Sequence, residues 1–176
     1  MKLFSKKQIL ELAKKYSYKT KDEPVEREIK KWLKNHRYLD KDRFIRLCLW
    51  KSARQRKNYE KNDDLTIREI TRFSFLTKSE RARIESLQIL DGVSYPVAST
   101  ILHFAFPDKY PIMDFRVIWS LGWRQPKYYN FGFWQKYVNE LRKLAKKYKV
   151  SLRKLDKALW YYSKENQKND QNLGRS

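Results

Sequence analysis

Apolar residues recur at helical spacing along almost the whole chain. Ile9, Leu10, Leu12, Ala13 and Tyr16 predict a helix over about residues 6–17. Thr20 with Glu23 fits a capping box, Pro24 follows in the first turn, and a second helix runs to about Asn35. Asp40 or Asp42 opens a third, whose apolar stripe is Phe44, Ile45, Cys48, Leu49 and Ala53. After the break at Asn62-Asp63-Asp64, two more capping boxes, Thr66/Glu69 and Thr77/Glu80, open helices ending near Phe75 and Leu90. Asp91-Gly92-Val93-Ser94 reads as a tight turn, and Tyr95-Pro96 restarts a helix to about Phe106. A loop at 107–111 precedes Asp114, which can cap a helix over 115–121. A Trp- and Tyr-rich loop from Gly122 to Asn130 leads to helices over about 131–147 and 152–165, and residues 167–176 read as a polar tail. No segment alternates as a strand does, so the predicted fold class is all-α.

Composition narrows what such a chain does. Its 176 residues suit one domain, here 1–166, with the ends 1–35 and 131–165 expected to pair in one lobe and 36–130 in another. Lys and Arg number 41 against 20 Asp and Glu, a net charge of +21. Charge on this scale opposes compaction and points to a polyanionic partner, nucleic acid first and an acidic membrane surface second. The charge is spread along the chain rather than gathered on one amphipathic helix, which disfavours the membrane. A lone cysteine, Cys48, excludes an internal disulfide, a Cys-ligated iron–sulfur cluster and a Cys-based zinc site. The first residues lack the apolar run of a signal peptide, and no stretch approaches the roughly 18 apolar residues of a membrane span. The expected location is cytoplasmic, nucleoid-associated in a prokaryote. Arg43, Arg46, Arg54 and Lys57 form a stripe in a segment without acidic residues, which reads either as a solvated face or as a nucleic-acid contact.

Residues 78–106 read as helix, short glycine turn, helix. Such a turn leaves the first N–H groups of the second helix without intrahelical partners, at the positive end of its dipole, where a phosphate binds. Gly92 permits a positive φ or a close backbone approach. A glycine turn in a helical hairpin also serves packing alone.

The stretch Leu90-Asp91-Gly92-Val93-Ser94-Tyr95-Pro96-Val97-Ala98-Ser99-Thr100-Ile101-Leu102, followed by Pro111-Ile112-Met113-Asp114, resembles the helix-hairpin-helix DNA glycosylases. Their hairpin reads Leu-Pro-Gly-Val-Gly, and a later Pro–Ile–x–Asp carries the catalytic carboxylate. The resemblance spans about residues 84–122. It implies two helical lobes flanking a cleft, a hairpin at Gly92, Val93 and Ser94 that grips a phosphate, and Asp114 facing the sugar of a flipped-out nucleotide. A carboxylate there would stabilise the oxocarbenium charge that builds on the sugar and help orient water. The target base must leave the stack first. The plainer reading of Asp114 is an N-cap.

The chain departs from the family pattern in several places. Ser94 replaces the second hairpin glycine. Pro96 stands where bifunctional relatives carry the Schiff-base lysine, so the resemblance implies a monofunctional enzyme, with Lys51 the alternative amine. The four-cysteine iron–sulfur loop and the acidic residue of the adenine-specific branch are both missing. No metal or cofactor is expected beyond a monovalent cation at the hairpin.

Tyr95, Lys51, Arg54, Arg56 and Arg116 are further candidate DNA contacts. Trp50, Lys51, Trp119 and Trp123 are candidates for the base pocket, although each aromatic also reads as core. Trp32, Phe44, Phe104 and Trp160 fit apolar stripes, and His103 reads as a core or helix-surface residue, since no second His or acid is placed to make it a metal ligand or a base. The expected partner is double-stranded DNA, bound by a monomer. The competing expectation is a non-catalytic helix-hairpin-helix module that only holds DNA.

Overall fold

A computed structural model describes residues 4–16 and 22–167. Ten α-helices and no strand occur among them: α1 (Lys6–Lys15), α2 (Asp22–Asn35), α3 (Lys41–Lys51), α4 (Arg56–Tyr59), α5 (Asp64–Leu76), α6 (Glu80–Ser86), α7 (Tyr95–Ala105), α8 (Phe115–Ser120), α9 (Phe131–Tyr148) and α10 (Leu152–Asn166). Single 3₁₀ turns at Ala53–Gln55 and Leu87–Ile89 follow α3 and α6. No helix among the described residues is long and apolar enough to cross a membrane. The Thr20–Glu23 capping box rests on Thr20, which lies outside the described residues, as does the tail beyond Gln167.

Short polar side chains start the helices, though two caps differ from expectation. Asp63 rather than Thr66 caps α5: its carboxylate accepts from both the Thr66 N–H (2.9 Å) and the Thr66 hydroxyl (2.6 Å). An acid three residues upstream is the stronger acceptor, so it takes the cap and the threonine becomes a donor. Ser79 rather than Thr77 caps α6, because Thr77 ends α5 with its N–H on the Phe73 carbonyl. The helix expected to run to Leu90 ends at Ser86 and tightens into the 3₁₀ turn.

Packing divides the helices differently from the expected lobes. α1 lies along α10, and α10 also packs on α8 and α9. α2, expected with the chain ends, packs on α3 and α7, and α8, expected with the middle, packs on α10. The apolar side of α2, with Ile29 fully buried, turns toward the core, while Ser120 of α8 donates to the Leu159 carbonyl of α10 (2.6 Å). The two groups meet where Arg153 reaches Glu26 (3.4 Å).

The extended segment 110–114 runs through this interior, and side chains satisfy its backbone. His103 Nδ1 donates to the Tyr110 carbonyl (2.8 Å), Tyr137 donates to the Ile112 carbonyl (2.7 Å), and Ser99 accepts from the Met113 N–H (2.8 Å). These three bonds fix the strand-like run that ends at Asp114. Of the two positions expected for His103, core and helix surface, the structure shows the core; Phe44 and Phe104 are buried as expected. Trp32 is only half-buried, stacked between His36 and the Arg43 guanidinium.

Candidate active site

The turn after Leu90 has the geometry that a glycine imposes. Gly92 adopts φ +82°, and a Cβ there would stand 2.8 Å from the Tyr59 ring. Val93 N–H donates to the Leu90 carbonyl (3.1 Å) and closes the turn. Asn62 clasps it from outside: its Oδ1 accepts from the Asp91 N–H (2.8 Å) and its Nδ2 donates to the Asp91 and Tyr59 carbonyls. Ser94 then caps α7 with extended backbone but makes no side-chain cap bond, so its exposed hydroxyl stays available beside the helix's first N–H groups. Among the described residues no cluster of His, Cys, Asp and Glu is placed to hold a metal ion.

Opposite the hairpin stands Asp114. It caps α8, with Oδ1 accepting from the Arg116 N–H (2.9 Å), so the plainer N-cap reading holds. Its second oxygen does something else. Lys51, the last residue of α3, donates to Oδ2 at 2.7 Å, with the two side chains only 12% and 17% exposed. The pair connects residues 63 positions apart in sequence.

Two recesses meet at this ion pair. The larger, about 570 Å³, runs between Lys51, Arg54 and the hairpin residues Gly92 to Ser94, with Phe115 and Tyr129 on its far wall. The smaller, about 200 Å³, lies behind the pair between Tyr16, Trp50 and Trp160, with Arg153 and Asp156 at its polar side. Asp156 is buried and bonded to Arg153 (2.5 Å). Burial raises its carboxyl above the usual range, against the opposing pull of Arg153. The apolar side chains Ile89 and Phe115 stand exposed at the rim of the larger recess.

The other expected residues are distributed unevenly. Trp50 lines the small recess, edge-on to Phe104. Trp119 and Trp123 line neither recess: Trp119 packs beside Tyr162, and Trp123 packs edge-on to Phe133 with Lys136 above it. Arg56 pairs with Glu60 on α4, and Arg116 covers the Phe115 and Trp160 rings; neither lines the cleft. The Tyr95 side chain turns into the protein and donates to Glu85 (2.8 Å), so only its backbone faces the hairpin. In the basic stripe, Arg43 is bonded to Asp40, and Arg46 to Glu28 and Asp42. The acids come from beyond the acid-free segment, so these two arginines are structural, while Arg54 and Lys57 stay exposed.

Asn62, Arg153 and Asp156 carry no functional mark in the sequence, and Trp160 reads there as core. A signal for two of them was present: Asp156 occupies an apolar position of the α10 stripe Leu152, Leu155, Leu159, and a lone acid there implies a buried partner. Compared with protein-family models, with curated proteins and with solved structures, the chain matches none.

Proposed function

We propose that the chain is a monofunctional DNA N-glycosylase of helix-hairpin-helix type. One observation carries the reading: Asp114 stands where a glycine hairpin suited to phosphate meets an aromatic recess large enough for one base. The hairpin N–H groups and the Ser94 hydroxyl hold a backbone phosphate. The target nucleotide turns out of the duplex, its base enters between Trp50 and Trp160, and Ile89 or Phe115 fills the vacated stack. Lys51 swings from Asp114 to a phosphate and frees the carboxylate charge. The C1′–N bond breaks with its electron pair leaving on the base, and Asp114 stabilises the positive sugar. Water adds to C1′ and passes its proton to Asp114, which hands it on to the departing base anion, so that a neutral base and an abasic site remain and the carboxylate is restored. The partner is duplex DNA, bound by a monomer in the cytoplasm, and binding weakens steeply with salt.

A second reading, a module that only holds DNA, draws on the fact that both Asp114 oxygens already have protein partners. The test is a panel of labelled duplexes with single uracil, thymine opposite guanine, oxoguanine, alkylated purine or hydroxymethylated and glucosylated cytosine. Strand cleavage only after hot alkali is the expected result. Cleavage without alkali would instead make Lys51 a Schiff-base amine, and silence with tight binding would favour the module.

A further inference from the structure

A recess of about 660 Å³ lies apart from the Asp114 cleft and shares no lining residue with it. It lies where α9 passes into α10, beside the start of α1. Five cations line it, Lys6, Arg142, Lys146, Lys149 and Lys154, against one carboxylate, Asp108. None of the five enters an ion pair among the described residues. Some cations on other helices pair at i,i+4, as Lys30 does with Glu26 and Arg68 with Asp64. Here Arg142 and Lys146 stand at i,i+4 on α9, a like-charge pair, and Lys149 follows at the left-handed C-cap of the helix.

Local helix electrostatics does not account for the cluster. The dipole of α9 favours Lys146 in its last turn, but Lys6 and Lys154 stand in the first turns of α1 and α10, where positive charge is disfavoured and neither helix carries an acid. Arg142 is held by the Lys109 carbonyl and the Tyr110 ring, whereas the four lysines, two of them against their helix dipoles, would be compensated by an anion from outside.

We propose that this cavity binds the phosphodiester backbone of a DNA segment, apart from the segment at the hairpin. Its concavity and its lack of a large exposed apolar side chain suit a strand rather than a flat bilayer. The site stands whether or not the cleft excises a base.

The test uses the full chain with Lys146, Lys149 and Lys154 all changed to Gln. The control carries Lys31, Lys34 and Lys61 changed to Gln, three exposed lysines outside the cavity with the same charge loss. Duplex affinity is measured against salt, with thermal melts to confirm folding. The cavity variant is expected to lose about two to three units of the log–log salt slope and at least tenfold in affinity, the control less than one unit. Equal losses in both variants would reduce the effect to net charge and overturn the proposal. Inorganic pyrophosphate and anionic phospholipid vesicles are run as probes. Either one bound by the wild type and lost in the cavity variant, with duplex binding unchanged, would also overturn it. Base release at saturating DNA, where it is seen, stays at the wild-type rate in the cavity variant.

Discussion

Replacing Asp114 with Asn separates the cap from the charge. The amide still accepts from the Arg116 N–H, since Asn is as good an N-cap as Asp. What disappears is the negative charge that the proposed reaction sets against the sugar, and the 2.7 Å ion pair with Lys51. A carboxylate about 4 Å from a developing unit charge, at an effective dielectric near 20, contributes about 4 kcal/mol, and about 4 kcal/mol is roughly a thousandfold in rate. The stability loss is smaller, about 1–2 kcal/mol, because Lys51 opens onto the cleft and rehydrates when its partner is removed. DNA affinity stays level or rises, since a repulsive charge has left the interface. The assay is single-turnover base release on whichever duplex the wild type cleaves after alkali, with a thermal melt beside it. A folded Asn variant releasing base within about fivefold of wild type would refute the electrostatic argument and leave Asp114 as a cap alone.

Other perturbations read other parts of the account. Gly92→Ala places a Cβ 2.8 Å from the Tyr59 ring at a φ of +82°, so denaturant melts should show a loss of about 1–3 kcal/mol and filter binding a weaker hold on duplex. Asn62→Ala leaves the Asp91 N–H and carbonyl without their clasp and should cost about 1–3 kcal/mol in the same melts; a change under 0.5 kcal/mol would mean water replaces the amide. Burial, with the Arg153 and Lys30 charges adding, pushes His103 from 6.5 down to about 3. Between those values the unfolded chain holds a proton that the folded chain does not, so His103 makes stability fall as pH drops, by up to about 1.4 kcal/mol per pH unit. His103→Asn should flatten that slope between pH 4 and 6, read from urea midpoints.

The helices and the hairpin turn were legible because periodicity and capping are local. Ile9, Phe44 and Leu155 mark their apolar faces directly, and Asp91-Gly92 marks the turn. The caps at Asp63 and Ser79 were misread because two polar residues competed for one helix start, and acceptor strength decides between them. The Lys51–Asp114 pair was visible only as two separate candidates: nothing local says that the end of α3 meets the start of α8. The same holds for Arg43 and Arg46, whose neutralising acids lie on other turns and on α2. Trp119 and Trp123 were misplaced because an aromatic at helical spacing looks the same whether it faces a recess or a neighbouring ring.

On the proposed function, the cleft at Asp114 releases a free base. The most direct measurement incubates the protein with genomic DNA preparations differing in natural and chemical base modification, then identifies free bases in the filtrate by mass spectrometry. A base released by the wild type and reduced about a thousandfold in Asp114→Asn is the predicted result. Tight binding to every preparation with no base released from any of them would contradict the claim and leave a DNA-holding module.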